Sequence, residues 1–170
     1  MSIREMRIFI ERAPRNIRYG FRNLKTWFLV IWNDRDYDHW FLYKIIQFKL
    51  KRMERLQRKY GHSINSDKIA DKMKICVSLL ERLLEDDYIG NALESHEKKW
   101  GESEMIFTPI PDKKGYSELN FKVEKVTNEK EKAKETKERR TKYDLARDSK
   151  EQDLDMLFSI IRKNVEGWWD

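Results

Sequence analysis

The 170-residue sequence has little cysteine, proline or glycine and no long apolar run. The single cysteine, Cys76, excludes a disulfide framework and a cysteine-based metal cluster, and it suits a reducing compartment. Three prolines and six glycines are too few for the turns of an all-β domain. The longest apolar run, residues 27–32, is far shorter than the roughly 18 residues of a membrane span. The N-terminus has no signal-peptide pattern, so we expect a soluble intracellular protein without a membrane partner.

Charge dominates the composition. Charged residues make up 39% of the chain, and 36 basic against 30 acidic side chains give a net charge of +6. The aromatic content of 12% argues against global disorder, since disordered chains are poor in aromatic residues. The length suits one domain, and we assign residues 1–170 to a single helical domain. A basic balance favours an anionic partner such as a nucleotide, a nucleic acid or a membrane surface.

Helical periodicity is strong in the first half of the chain. A short basic helix is expected over residues 3–12, with a new helix beginning at Pro14. In that second helix an apolar stripe recurs at spacings of three and four residues and predicts a core-facing side; its members are Ile17, Phe21, Leu24, Phe28 and Ile31. A further helix is predicted over about 36–60, with an inward side formed by Leu42, Ile45, Ile46, Met53 and Leu56. Another is predicted from about residue 66 to a point between Tyr88 and Gly101.

The second half of the chain changes character. Pro109, Pro111 and Gly115 break any helix over 101–126, where two short strands of a hairpin are predicted. Residues 128–153 are mostly charged, which is typical of a solvated helix or a mobile segment, and a last helix is predicted over about 151–169. The fold class is therefore mainly α: a bundle of four to five helices with an irregular or short β-hairpin insert at about 101–126.

The clearest binding signal lies on one edge of the early helix. Arg15, Arg18, Arg22 and Lys25 follow a 3-4-3 spacing, Arg12 precedes them, and Tyr19 lies on the same edge. Guanidinium groups bind phosphate in a bidentate way and stack on aromatic faces. The edge therefore favours a phosphate-and-base ligand, and the competing interpretation is a plain solvated helix face.

Residues 31–40 form an unusual helix–helix corner rich in carboxylates and aromatic rings. Three interpretations compete: a capping network, a nucleotide site in which carboxylates accept from base or ribose groups, and an Asp/His metal site that the spacing does not specifically support. The candidate ligand-binding residues here are Trp32, Asp34, Arg35, Asp36 and Trp40, with Tyr43 just beyond. No metal ligand and no cofactor is assigned.

The helix predicted over about 36–60 is also basic, and two basic helices favour a positive groove. Glu81, Glu85 and Asp86 resemble the carboxylate helix of all-α nucleotide pyrophosphatases, but a second matching acidic motif is missing, and an acidic face opposing the basic helices is the simpler interpretation. The sequence contains no Gly-rich phosphate loop and no nucleophile motif. We therefore predict a binding protein rather than an enzyme.

The segment Ile31-Trp32-Asn33-Asp34-Arg35-Asp36-Tyr37-Asp38, with Glu85-Asp86-Asp87-Tyr88 and the terminal Trp168-Trp169-Asp170, resembles a widespread family of small helical bacteriophage proteins. These proteins are similar to phage immune-evasion sponges of the anti-CBASS type. The resemblance implies sequestration, without cleavage, of cyclic dinucleotides such as 3′3′-cGAMP in the cytoplasm of the bacterial host. It also implies a homo-oligomer, a tetramer being favoured, with the ligand between subunits. The alternatives are an RNA- or DNA-binding phage accessory protein and a magnesium-dependent nucleotide hydrolase.

Overall fold

The computed structural model describes residues 3–32, 39–111 and 113–169. The order of elements is α1 (Ile3–Ile31), α2 (His39–Tyr60), α3 (Ser66–Glu85), α4 (Tyr88–Trp100), β1 (Ser103–Pro109), β2 (Ser117–Val123) and α5 (Glu129–Asn164), followed by a 3-10 turn over Val165–Trp169. The five helices and the two-stranded antiparallel sheet found within these residues confirm the predicted mainly-α class with a β-hairpin insert.

The chain divides into two compact units, one within residues 1–80 and the other within residues 81–169. We refer to them as the N-terminal unit and the C-terminal unit. The assignment of the whole chain to a single domain stays a prediction.

In the N-terminal unit, α1 and α2 pack together through an edge-to-face contact of Trp27 with Phe48, whose ring centroids lie 4.9 Å apart. The buried side of α3 carries Ala70, Met73 and Cys76, spaced three residues apart as the helical period requires. Burial raises the pKa of the Cys76 thiol to about 11. The second helix ends at Tyr60, and the Gly61 amide donates to the Gln57 carbonyl oxygen, as predicted for a glycine after a helix.

Two expectations for α1 are wrong. The helix is continuous from Ile3 to Ile31 with Pro14 inside it, so no separate helix over 3–12 exists. The apolar stripe predicted to face a core is instead exposed, and Leu42 and Leu56 of α2 are exposed as well. Periodicity identifies the apolar side of a helix, but it does not determine whether this chain supplies the surface that covers it.

The helix predicted from about residue 66 is in fact two helices. It is interrupted after Glu85 by Asp86, which has a φ of 50°. This left-handed conformation ends α3, and α4 begins two residues later at Tyr88. An aspartate tolerates this conformation better than most residues, but a sequence pattern that continues through it hides the break.

The C-terminal unit contains the hairpin and a 36-residue helix. Met105 pairs with Phe121 across the antiparallel strands. The charged segment and the last predicted helix are one element, α5. It begins where the Asn128 side chain accepts from the Glu131 amide, while the Glu131 carboxylate accepts from the Thr127 amide, each over 2.9 Å. This reciprocal cap fixes the residue at which α5 begins, which composition alone does not determine.

A buried charged cluster joins α4 to α5 inside the C-terminal unit. The Arg139 Nη2 donates to Glu135 Oε2 over 2.9 Å, and His96 Nε2 lies 3.3 Å from Glu135 Oε1. The Arg139 guanidinium also lies 4.1 Å from the centre of the Phe121 ring on β2. Because Glu135 is only 1% exposed, its charge is compensated by protein groups rather than by solvent.

Candidate anion-binding face

The predicted cationic edge of α1 is exposed and continuous. Residues 12–32 carry five basic side chains and no acidic one. Among the side chains that the structure describes, no carboxylate lies within ion-pair distance of Arg15, Arg18, Arg22 or Lys25. The described side chains therefore do not neutralise these cations, and the edge presents a row of positive charge.

Tyr19 belongs to this edge, as its spacing predicts. The Arg22 guanidinium lies 4.8 Å from the centre of the Tyr19 ring one turn away. One turn further, the Thr26 hydroxyl donates to the Arg22 carbonyl oxygen over 2.6 Å. The edge thus combines cations with a flat ring and leads to Thr26, where α1 meets α2.

The second helix adds cations and rings along the α1–α2 seam. A cavity of about 470 Å³ is lined by Thr26 of α1 and by Phe48, Arg52, Arg55 and Leu56 of α2. The Arg52 guanidinium lies 5.9 Å from the centre of the Phe48 ring. No carboxylate in the part of the chain that the structure describes pairs with Arg52 or Arg55. We define the cationic face as Arg15, Arg18, Tyr19, Arg22 and Lys25 of α1 with Lys44, Phe48, Arg52 and Arg55 of α2.

The helix–helix corner is described only in part. Trp32 is an exposed turn residue after α1, and Trp40 and Tyr43 are half-buried on α2. The Lys44 ammonium lies 3.6 Å from the centre of the Trp40 ring, and both line a cavity of about 290 Å³ along the same seam. The predicted site residues Asp34, Arg35 and Asp36 lie outside the described residues, so their part in the site stays a prediction.

Charge is distributed unevenly along the chain. Residues 1–80 carry 18 basic and 8 acidic side chains, whereas residues 81–170 carry 18 basic and 22 acidic ones. The net positive charge of the protein therefore comes entirely from its first half, which contains the cationic face. A field of one sign raises the local concentration of anions near that surface.

The acidic residues of the hydrolase alternative are arranged differently from a metal site. Asp86 Oδ1 accepts from the Lys150 ammonium over 2.6 Å, and Glu85 lines a cavity of about 510 Å³ beside α4 and α5. Among the side chains described within residues 12–32, 39–111 and 113–168, no group of three His, Cys, Asp or Glu residues is arranged to hold a metal ion. The described residues thus give the magnesium hypothesis no ligand set.

A second polar network in the C-terminal unit was not predicted. Arg82 donates through Nε and Nη2 to both oxygens of Asp153, over 2.7 and 2.5 Å, and the Tyr88 hydroxyl donates to Asp153 Oδ2 over 2.7 Å. The Arg82 hydrogen bonds hold the pKa of Asp153 below its ordinary value. Desolvation and the neighbouring carboxylate raise the pKa of Tyr88, so this phenol remains protonated and acts as a donor.

The sequence-based prediction also did not identify Phe48, Arg52 and Arg55 as part of a specific site. Their spacing could have identified them, because Lys44, Phe48, Arg52 and Arg55 follow a 4-4-3 pattern that places them on one side of α2. What the sequence did not show is that this side of α2 lines a cavity with α1.

No family model, curated protein or solved structure matches the chain. In the part of the chain that the structure describes, no helix combines the length and the apolar character needed to cross a bilayer. The geometry and the charge of the cationic face are therefore the features from which a function can be inferred.

Proposed function

We propose that this protein binds and sequesters a nucleotide second messenger, with a cyclic dinucleotide such as 3′3′-cGAMP as the first ligand to test. The observation that carries the proposal is the cationic face, whose arginines have no carboxylate partner among the described side chains and lie beside aromatic rings. The residue types match the ligand, which presents two phosphates and two purine faces.

Each component of the face has a role in this proposal. Arg15, Arg18 and Arg22 donate to phosphate oxygens in charge-assisted hydrogen bonds. Tyr19 stacks on a base, and the cavity lined by Phe48 and Arg52 accepts the second nucleotide. Binding requires no general base, and the role we assign to the protein is to hold the ligand rather than to transform it.

The face is open, which favours an assembly. Its cavities of about 290 and 470 Å³ lie at the seam of only two helices, and the arginines of α1 are exposed. A dinucleotide bound there is covered only if another subunit approaches it. We therefore propose a homo-oligomer, a tetramer first, with the ligand held between subunits.

The biological setting of the proposal comes from the resemblance described above. In that setting the protein is made in the cytoplasm of an infected bacterium and lowers the free concentration of a messenger of CBASS-type defence. A sponge must then bind at least as much ligand as the host synthesises, so its abundance is as important as its affinity.

Ligand retention tests the proposal. Purified protein is incubated with labelled 3′3′-cGAMP, separated from free ligand and heat-denatured, and the released nucleotide is identified. We expect intact ligand from the wild type and none from an Arg18→Glu/Arg22→Glu variant. The control is Lys137→Glu/Arg140→Glu, which makes the same change in net charge on α5. Cleaved product would indicate an enzyme, and equal retention by both variants would remove the cationic face from the site.

A second candidate, binding of single-stranded RNA or DNA, is favoured by the open and continuous form of the same face. Phosphates spaced along a strand suit a row of cations, and stacking on exposed rings requires no enclosing cavity. An oligonucleotide that binds with a steep loss of affinity in salt, and that 3′3′-cGAMP does not displace, would replace the messenger proposal with this one.

A further inference from the structure

The larger cavity at the α1–α2 seam has a polar wall that consists mostly of hydrogen-bond donors. Its volume is about 470 Å³, and its lining comprises Thr26, Phe48, Arg52, Arg55 and Leu56. Among the side chains that the structure describes, this lining includes no carboxylate and no carboxamide. A guanidinium group cannot accept a hydrogen bond, so a ligand that enters this cavity must supply acceptors.

The two guanidinium groups are held in different ways. Arg52 lies 5.9 Å from the centre of the Phe48 ring, and no described side chain forms a hydrogen bond or an ion pair with it. Arg55 donates through Nε to the Lys51 carbonyl oxygen over 3.2 Å, one turn earlier on α2. This bond anchors Arg55 and leaves its Nη groups for a ligand. The cavity thus offers paired N–H donors.

The rest of the lining suits a base better than a phosphate group alone. Phe48 and Leu56 form an apolar wall on which a flat ring can lie. The Thr26 hydroxyl donates its proton to the Arg22 carbonyl oxygen over 2.6 Å, so it presents only lone pairs to the cavity. A phosphate group gains nothing from an apolar wall and has no donor for Thr26. A heterocyclic base uses both.

The two purines differ in what they offer to such a wall. Guanine presents two adjacent acceptors, O6 and N7, which match the paired N–H groups of an arginine. Adenine presents N7 beside its amino group N6, so a donor there faces a donor and one N–H group remains unpaired. Guanine also carries donors on its neighbouring edge, and these suit the Thr26 hydroxyl oxygen. The lining therefore favours guanine over adenine.

We propose that this cavity is a guanine subsite, in which Arg52 or Arg55 binds O6 and N7 while the base stacks on Phe48. The inference rests on the proposed function, because it assigns the base of the second nucleotide. It adds a requirement that the proposed function does not contain: a cyclic dinucleotide must carry at least one guanine to bind tightly. Arg52 and Arg55 are then specificity-determining residues, whereas Arg18 and Arg22 bind phosphate whatever the base.

Comparison of three cyclic dinucleotides tests the inference on the full-length wild type. The probes are cyclic di-GMP, 3′3′-cGAMP and cyclic di-AMP, which have the same phosphates and carry two, one and no guanines. We expect each of the two guanine-containing ligands to bind about tenfold or more tightly than cyclic di-AMP, since a bidentate contact discriminates against the wrong base by this order. Equilibrium competition against one fluorescent cyclic dinucleotide gives the three dissociation constants.

Two variants with the same loss of charge separate base recognition from phosphate binding. Arg52→Gln/Arg55→Gln replaces the paired donors with amides, which match N6 and N7 of adenine, so the preference for guanine should fall about tenfold. The matched control, Arg18→Gln/Arg22→Gln, removes the same charge from the same face. It should weaken the binding of all three ligands and leave the preference unchanged.

The possible results distinguish this inference from the proposed function. Equal affinity of the wild type for cyclic di-GMP and cyclic di-AMP would overturn the guanine subsite and leave sequestration intact. An Arg52→Gln/Arg55→Gln variant that keeps the wild-type preference would also overturn it, because these arginines would then bind phosphate. Failure of all three ligands to bind would remove the proposed function, and this inference with it. The wild-type comparison requires no variant, so it decides the matter even where a variant does not fold.

Discussion

The two halves of the chain carry the same number of basic residues, 18 each, but use them differently. In the C-terminal unit, Arg82 pairs with Asp153. In the N-terminal unit, Arg18 and Arg22 have no carboxylate partner among the described side chains. The number of cations in a region therefore does not identify an anion-binding site. Such a site is indicated by cations that no carboxylate of the fold neutralises.

The largest effect that this comparison predicts comes from Glu135. Replacing it in a Glu135→Gln variant leaves the Arg139 charge buried without a compensating anion, which costs about 3–5 kcal/mol for a buried pair. Urea denaturation measures the change in the free energy of unfolding. The control, Glu94→Gln, removes a pair with Lys98 in which both side chains are mostly exposed, and it should cost less than about 1 kcal/mol. Equal losses would mean that burial does not distinguish the two kinds of pair.

A smaller effect is expected from Asp153. An Asp153→Asn variant loses charge-assisted hydrogen bonds from Arg82 and weakens the one from Tyr88, and we expect a loss of about 1–2 kcal/mol at pH 7. The same urea measurement checks it. An unchanged midpoint would show that this network is as unimportant for stability as an ordinary surface pair.

The pH dependence of the same variant sharpens the test. Because the folded-state pKa of Asp153 is depressed, its contribution is present above the unfolded-state pKa of about 3.9 and is lost as the pH falls through the folded-state value. Wild type should therefore lose more stability than Asp153→Asn between pH 6 and pH 3. Parallel curves would contradict the assignment of the shift to the Arg82 hydrogen bonds.

Much of this fold follows from the sequence, and the exceptions have physical causes. The periodicity of α3 and the turn residues at 109–115 predicted the correct elements, because local spacing and backbone preference decide them. The break at Asp86 and the single long α5 were missed, because one left-handed residue and one reciprocal cap at Asn128 decide those boundaries. The exposure of the α1 stripe was missed because burial depends on what covers a helix.

The candidate site was likewise predictable from the sequence only in part. The edge that contains Arg18 and Arg22 was predictable from spacing, since residues three and four apart share a helix side. The cavity that joins Thr26 to Arg52 was not, because it depends on how α1 and α2 pack. The paired cations of the C-terminal unit were also unpredictable, since the partners of a pair such as Arg82 with Asp153 are 71 residues apart.

The smallest effect on stability is expected for the two arginines of α1 whose loss should weaken ligand binding most. An Arg18→Gln/Arg22→Gln variant removes two exposed cations that have no carboxylate partner among the described side chains, so its free energy of unfolding should stay within about 0.5 kcal/mol of the wild type. Urea denaturation without ligand provides the value. A loss comparable to that of Asp153→Asn would show that these arginines stabilise the fold after all.

Equilibrium binding of fluorescent 3′3′-cGAMP by three proteins tests the central claim most directly. They are the wild type, Arg18→Glu/Arg22→Glu and the charge-matched Lys137→Glu/Arg140→Glu variant. Loss of two charge-assisted contacts of about 1.5 kcal/mol each should weaken binding by the first variant about 100-fold, while the second variant binds as the wild type does. Equal weakening by both variants would contradict the account, because the ligand would then respond to net charge rather than to the cationic face.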